Sequence, residues 1–255
     1  MPETVIPETV KAAGATPAGA SDEASAARAV QQMFDEIASR YDLLNHTLSM
    51  NVDRLWWRRT ARLFTDILRR KDARVLDLCA GTGDMSVALR AVGSDARIFA
   101  LDFSHQMLHH GLEKYRRKNI QAIEADALHL PLGPACMDLV VSAFGFRNLA
   151  NYEAGLREIL RVLKPGGEVG ILDFSEPQGL LGPLYGFYFR KVLPRIGTLI
   201  SGVRGPYDYL PASVQKFPAP QEMVKRMEAV GFTNVSWTPY TFGIAGLYRG
   251  TKGSV

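Results

Sequence analysis

The chain has 255 residues, with 30 lysines and arginines against 26 aspartates and glutamates and a formal net charge of +4 at pH 7. Hydrophobic residues make up 47% and charged residues 22%, which fits one folded domain with a sizeable core and excludes a chain disordered throughout. So modest a charge, without a basic module interleaved with aromatics, argues against nucleic acid as a partner, and Cys79 and Cys136, far apart and with no histidine at ligand spacing, argue against a metal site or a disulfide framework.

Residues 1–25 are rich in Ala, Thr, Pro, Gly and Glu without apolar periodicity and read as a disordered tail. They lack the basic and apolar regions of a signal peptide, and Glu3, Glu8, Asp22 and Glu23 argue against a transit peptide. Helical spacing follows over 26–40 and 53–70, separated by a polar loop at 41–52. From Ala73 onward short apolar runs alternate with amphipathic stretches, the pattern of parallel strands joined by crossover helices. Strands are expected at 74–78, 97–101, 120–124, 139–143 and 168–173, with helices at 84–92, 104–117 and 152–163. The last helix should stop at Lys164-Pro165-Gly166-Gly167, since proline biases the residue before it away from helix. A helix at 220–230 then precedes strands at 234–240 and 242–249, and their short connection makes one strand antiparallel.

Residues 26–255 should thus form a single doubly wound α/β domain, a mostly parallel seven-stranded sheet with a helical N-terminal cover and a helical insertion at about 176–215. The longest uncharged apolar run, Pro177 to Phe189, is interrupted by Gly and Pro and falls short of the ~20 residues of a membrane span.

The run from Val75 to Asp84 reads as a buried strand, a glycine turn and a helix start. Gly81 and Gly83 allow close backbone approach to a ligand, although a plain tight turn has the same look. Asp102 follows at the end of the next strand, about twenty residues on, where a carboxylate can accept both hydroxyls of a ribose. The turn is Gly-Thr-Gly-Asp and lacks the third, helix-packing glycine of G-x-G-x-x-G, so a dinucleotide fingerprint is missing. After the third strand, Asp126 could take an adenine amino group and the small Ala127 could admit the ring; a turn or helix cap is the plainer reading of Asp126. The combination resembles class I S-adenosylmethionine-dependent methyltransferases. That resemblance implies S-adenosylmethionine as methyl donor, held by Thr82, Asp102, Asp126, Ala127, Gly81 and Gly83, with Asp77 near the sulfonium and amino acid end.

Three segments narrow the resemblance. They are Ser142 to Asn148 (Ser-Ala-Phe-Gly-Phe-Arg-Asn), Tyr41 to Ser49 followed by Trp56, and Arg161 to Gly167 continuing through Ile171 to Ser175. Together they resemble the ubiquinone/menaquinone biosynthesis C-methyltransferase family, whose members methylate a ring carbon of a prenylated quinol, and the similarity runs from about Val30 to Lys252. The chain departs from the family pattern at Asp53, usually His, at Asp173, usually Glu, and at Ala143, often Ser. The resemblance implies C-methylation of demethylmenaquinol to menaquinol, the wider bacterial use of the family. Alternatives are methylation of 2-polyprenyl-6-methoxy-1,4-benzoquinol in ubiquinone biosynthesis and a non-catalytic S-adenosylmethionine-binding partner of a quinone-synthesis assembly.

A ring carbon attacks a sulfonium methyl only when a phenolic oxygen has given up its proton and pushed electron density into the ring. The site therefore needs a proton acceptor, a group that stabilises the quinolate and a wall that holds the carbon in place. The catalytic candidates are Arg147 for the quinolate, Asn148 for a ring oxygen, and Asp173 to accept a proton or orient a water. Their bland alternatives are an exposed loop arginine, a helix cap and a structural ion pair. Tyr41 and His46, before the sheet, are expected to close over the substrate, a loop hydrogen bond being the plainer role of His46, and Tyr185, Tyr188 and Tyr207 to line its cavity. His105, His109, His110 and His129 receive no role. The apolar insertion, followed by Arg190, Lys191, Arg195 and Arg204, suits either a lid against an isoprenoid tail or membrane surface, or a buried helix pair. The implied partners are a polyprenylated quinol and, transiently, the membrane surface, with a homodimer as the assembly considered. The expected location is cytoplasmic, peripheral at the inner face of the membrane.

Overall fold

Strand and helix alternate as the apolar pattern dictates in the computed structural model, which describes residues 14–15, 17, 19–40, 49, 51–93, 95–175, 177 and 206–254. Helix α1 (Glu23–Ile37) opens on a capping box, in which Asp22 accepts the Ser25 N–H at 2.7 Å and Ser25 Oγ accepts the Asp22 N–H at 3.1 Å. The helix thus begins within the stretch read as tail. Upstream, Ala15 is buried and donates its N–H to Leu149 O at 2.8 Å, so these residues of 1–25 are folded onto the domain.

The single helix expected at 53–70 is two, α2 (Val52–Arg62) and α3 (Thr65–Leu68). Between them Phe64 turns into the core, and the Thr65 hydroxyl donates to Arg62 O at 2.6 Å, a carbonyl that a continuous helix would use. The phenyl ring packs on Gly170, where a Cβ would come within 2.7 Å of it, and the Arg249 guanidinium lies 5.2 Å from its centroid. Burial of one aromatic outweighs the local periodicity here.

The core elements follow as β1 (Arg74–Leu78), α4 (Asp84–Val92), β2 (Arg97–Asp102), α5 (His105–Arg117), β3 (Ile120–Glu124), β4 (Met137–Ala143), α6 (Tyr152–Val162) and β5 (Leu163–Phe174). The chain closes with α7 (Pro206–Lys216), α8 (Pro220–Val230), β6 (Phe232–Tyr240) and β7 (Ala245–Lys252). The stop expected at 164–167 survives as an irregularity inside β5. Leu163 pairs with Met137 and Glu168 with Leu139, so Lys164 to Gly167 bulge from the ladder, with Gly166 at φ +76°. The strand expected to begin at Phe242 begins at Ala245, because 241–243 form a turn with Phe242 at φ +58°.

Strand order is β3-β2-β1-β4-β5-β7-β6, and only β7 runs against the others. Both faces are covered, and one core gathers Trp56, Phe64, Leu89, Leu108 and Leu172, the other Leu76, Leu156, Ile171, Met223 and Tyr248. From β1 the strands β2 and β3 proceed outward in one direction, and from β4 the strand β5 and then the β7–β6 pair in the other. The crevice beyond the carboxyl ends of β1 and β4 is therefore the topological switch point, the place where open α/β sheets bind ligands.

Candidate active site

A solvent-open cleft of about 700 Å³ lies over the carboxyl ends of β1, β2 and β4. Its floor is the glycine turn. Gly83, at φ +90°, starts α4, and a Cβ there would overlap the Tyr115 ring, whose hydroxyl donates to Gly81 O at 2.8 Å. Gly83→Ala is expected to cost about 3 kcal/mol, combining a left-handed backbone with an overpacked ring; a thermal melt within 1 °C of wild type would show that the turn yields. On the opposite wall Gly145 packs so closely on the Cys79 side chain that no larger residue fits.

Asp102 ties the turn to the second strand. Its Oδ2 accepts the Gly81 N–H at 2.8 Å and its Oδ1 the Ser104 N–H at 2.9 Å. Each oxygen keeps a further acceptor site, so the carboxylate can take two more donors from a vicinal diol in the cleft that it lines. Asp102 is 6% exposed. Burial pushes its carboxyl up to about 6, against the pull of the Ser104 and Gly81 N–H groups.

The other predicted cofactor residues fall into two layers. Gly81, Asp126 and Ala127 line the cleft with Asp102. Asp77, Thr82 and Gly83 are not among its lining; Asp77 and Thr82 are buried. Asp77 accepts the Ser86 hydroxyl at 2.5 Å, and burial pushes its carboxyl up to about 7. Asp126 closes a local turn, accepting the Leu128 N–H at 2.8 Å, with His129 Nδ1 at 3.1 Å from its other oxygen.

Helix α1 supplies residues that the sequence had marked only as a cover. Ala27 and Phe34 line the cleft, Gln31 Nε2 donates to Phe103 O at 2.7 Å, and the Ser104 hydroxyl donates to Asp35 at 2.5 Å. The available signal was a glutamine and an aspartate at i, i+4 on the apolar side of the helix.

Arg147 and Asp173, placed apart in sequence, form one buried pair. Arg147 Nη1 lies 2.9 Å from Asp173 Oδ1 and also donates to Phe144 O, and Nε lies 3.3 Å from Ser213 Oγ. Asp173 further accepts the backbone N–H of Arg147 at 3.0 Å and of Phe174 at 2.8 Å. Arg147 is 5% and Asp173 0% exposed, which excludes a solvated loop arginine. Burial raises the Asp173 carboxyl, and the guanidinium and the two N–H groups oppose the rise. Neither side chain is in the cleft lining, whereas Phe144 and Asn148 are. Asn148 Oδ1 accepts the Tyr209 hydroxyl at 3.2 Å, and the cap of α6 is Asn151 instead.

Phe144 belongs to an aromatic wall with Trp56 and Phe174, at centroid distances of 5.8 Å for Trp56–Phe144, 4.5 Å for Phe144–Phe174 and 6.2 Å for Trp56–Phe174. The guanidinium of Arg147 lies 5.3 Å from the Phe174 centroid. Ala143 lines the cleft, while the neighbouring Ser142 hydroxyl is buried with no hydrogen-bond partner among the described residues. Asp53 is buried at the start of α2 and accepts the Arg54 N–H at 2.7 Å. Tyr41, His46, Tyr185 and Tyr188 lie outside the described residues; Tyr207 belongs to α7, with its side chain outside them. Among the described residues no group of three or more His, Cys, Asp or Glu could hold a metal ion. The cleft lining therefore includes both a diol acceptor, Asp102, and an aromatic ring, Phe144.

The ubiE/COQ5 methyltransferase family model matches residues 21–252. The demethylmenaquinone methyltransferase of Deinococcus radiodurans is 45% identical over 234 residues, 91% of this chain and 95% of that protein. That of Thermus thermophilus is 44% identical over 223 residues, 86% of this chain and all of that protein. The ubiquinone/menaquinone biosynthesis C-methyltransferase of Geobacter sulfurreducens is 40% identical over 232 residues, 88% of each chain. Among solved structures, a SAM-dependent methyltransferase of Thermotoga maritima superposes with a TM-score of 0.60 at 17% identity, over 88% of this chain and 99% of that one. The [4+2]-cyclase SpnF superposes at 0.66 and 15% identity, over 96% of this chain and all of that one. Likeness at such identities shows the fold, and a cyclase on that fold shows that the fold alone does not choose the chemistry.

Proposed function

The chain belongs to the ubiE/COQ5 methyltransferase family, and we propose that it transfers a methyl group from S-adenosylmethionine to a ring carbon of demethylmenaquinol, giving menaquinol. The observation that carries this reading is the Asp102 carboxylate, braced by Gly81 and Ser104, in a mostly apolar cleft that Phe144 also lines. The 45% and 44% identical relatives, matched over nearly their whole lengths, support the substrate.

S-adenosylmethionine supplies an electrophilic methyl on a sulfonium, and the chain's residues bind and orient the reactants. Asp102 takes the ribose hydroxyls, and Asp126 and Ala127 receive the adenine. Gly81 presents the backbone of the glycine turn to the nucleoside, with Thr82 and Gly83 shaping the turn behind it, and Asp77, bonded to Ser86, braces the start of the following helix. Phe144 provides a flat wall for the quinol ring. Asn148 holds a ring oxygen, and Arg147 stabilises the quinolate by its charge, while Asp173 acts as a positioning residue that fixes the guanidinium. The phenolic proton leaves to water. Once the carbon–methyl bond has formed and the sulfur–methyl bond has broken, the ring carbon loses its own hydrogen as a proton and the oxygen takes one back, so each turnover releases one proton. Tyr41, His46, Tyr185, Tyr188 and Tyr207 complete the substrate side in this reading. Catalysis takes place in the cytoplasm at the inner membrane face, and no helix among the described residues is long and apolar enough to cross a membrane.

The Geobacter relative keeps the ubiquinone-branch substrate as a second reading. The test is a competition between chemically reduced demethylmenaquinol and the methoxy-benzoquinol for methyl-labelled S-adenosylmethionine, followed by mass spectrometry. Label on the naphthoquinol alone is expected, and label on both would make the enzyme dual-branch. Label on neither, with cofactor bound, would overturn the quinol reading and leave a non-catalytic partner or a soluble-metabolite enzyme.

A further inference from the structure

Large apolar side chains are exposed at Leu55 (62%), Leu63 (44%) and Phe242 (78%), and they converge on one part of the surface. Single exposed apolar residues are ordinary, but these three are joined by structure. Leu55 stands on the outer face of α2 and Leu63 is its C-cap, about 12 Å further along the helix axis. The turn that carries Phe242 is bound to that helix, for Trp56 Nε1 donates to Thr241 Oγ1 at 2.8 Å and the Arg59 guanidinium lies 4.2 Å from the Tyr240 centroid. Phe242 itself is held at φ +58°, a left-handed conformation that a bulky residue rarely takes.

The remainder of the outer face of α2 is cationic. Arg54, Arg58, Arg59 and Arg62 are all exposed, and residues 54–63 contain no acid. The inner face buries Trp56, Trp57, Thr60 and Ala61. A helix with one face in the core and the other made of arginines and leucines has the composition of an interfacial helix, whose apolar groups enter the acyl boundary while its cations meet anionic headgroups. Behind this face Trp56 touches Phe144, the aromatic wall of the cleft. Trp56 and Phe144 thus connect the inner side of α2 to the cleft lining.

We propose that the outer face of α2, with Leu55, Leu63 and Phe242, docks the protein on an anionic phospholipid surface. Its purpose rests on the prenylated-quinol reading; the surface itself does not. The proposal differs from the expectation that placed membrane contact on the 176–215 insertion, since every group invoked belongs to α2, its C-cap or the β6–β7 turn.

The test is flotation of the full chain with vesicles of phosphatidylcholine alone and of phosphatidylcholine with phosphatidylglycerol, at low and high salt. Wild type is expected to float with the anionic vesicles only and to be released by salt. Each basic residue near an anionic surface is worth a factor of about five in partitioning, so Arg58→Glu with Arg62→Glu should weaken binding at least about twenty-five-fold. Leu55→Ser with Phe242→Ser should weaken it without abolishing salt sensitivity. Both pairs should retain wild-type turnover of a short-chain, water-soluble demethylmenaquinol, which also reports that they fold. Wild-type partitioning of the arginine pair, or equal binding to neutral vesicles, would overturn the proposal. So would a wild-type dimer that the Leu55/Phe242 pair makes monomeric with vesicle binding intact, because the face would then belong to a second copy. Anionic-vesicle binding without turnover of the short-chain quinol would instead retire the quinol reading and leave the surface standing.

Discussion

Asp102→Asn is expected to weaken S-adenosylmethionine binding about a hundredfold at a pH well above 6. The wild-type carboxylate already braces two N–H groups and has one acceptor site left on each oxygen for the ribose. Hydrogen bonds to a charged acceptor contribute about 1.5–3 kcal/mol each, and removing the charge from two of them gives roughly 3 kcal/mol, or about two factors of ten. The amide also turns its NH₂ toward either the Gly81 or the Ser104 N–H, so two donors face each other. The pH dependence carries its own sign. Burial raises this carboxyl from an ordinary 3.8 to about 6, and only the ionised form accepts from both hydroxyls, so affinity should be level above pH 6 and fall about tenfold per pH unit below it. In the ligand-free protein the same shift runs the other way for stability. The contribution of this group is fully present below 3.8 and lost as pH rises through about 6, where the ionised carboxylate must be kept in a dry site. Calorimetric titration across pH, on wild type and variant, checks both statements. The inflection near 6 should vanish in Asp102→Asn, leaving any slope near 7 to Asp77; an inflection that persists near 6 would move the ribose elsewhere.

Arg147→Ala and Asp173→Asn should each destabilise the protein by about 3–5 kcal/mol, since each leaves one member of a buried ion pair without its partner. For a domain of this size that corresponds to a fall in melting temperature of roughly 10 °C or more. A double variant, Arg147→Met with Asp173→Leu, removes both charges and should recover much of that loss, which a double-mutant cycle on melting data would read directly. Turnover separates the structural part from the chemical one. If Arg147 stabilises the quinolate, the double variant regains stability and S-adenosylmethionine affinity but not kcat. A double variant with wild-type kcat would reduce the pair to a brace for the loop after β4. Singles that lose less than 1 kcal/mol would mean that the pair is solvated in the working protein.

Local pattern accounts for much of the fold. β1, β3, α4 and α8 begin and end where apolar runs, Pro and Gly placed them, because caps and side-chain periods act within a few residues. The parallel order and the single antiparallel strand follow from crossover length and one short turn. The contact of Asp102 with the glycine turn was legible the same way, from its place at the end of the next strand about twenty residues on. The failures are of another kind. Nothing within 53–70 announces that Phe64 will leave its helix for a place against Gly170 on β5. The difference between Asp126 in the cleft lining and Asp77 beneath the turn is equally absent from a pattern that presents both as strand-end acids.

The sequence by itself therefore determined the doubly wound sheet, the glycine turn and its acidic partner, and the family, since these depend on spacing along the chain and on motifs read in order. Only the tertiary structure decided that Arg147 and Asp173 are one buried pair, that Phe144, Trp56 and Phe174 form one wall, and that α1 lines the cleft with Ala27 and Phe34 and is tied to the 103–104 segment by Gln31 and Asp35. Each of those depends on which side chains meet after the sheet has twisted and the helices have packed. Side-chain packing is close and long-range, so two residues 26 apart can form a buried ion pair that neither one's neighbours in sequence reveal.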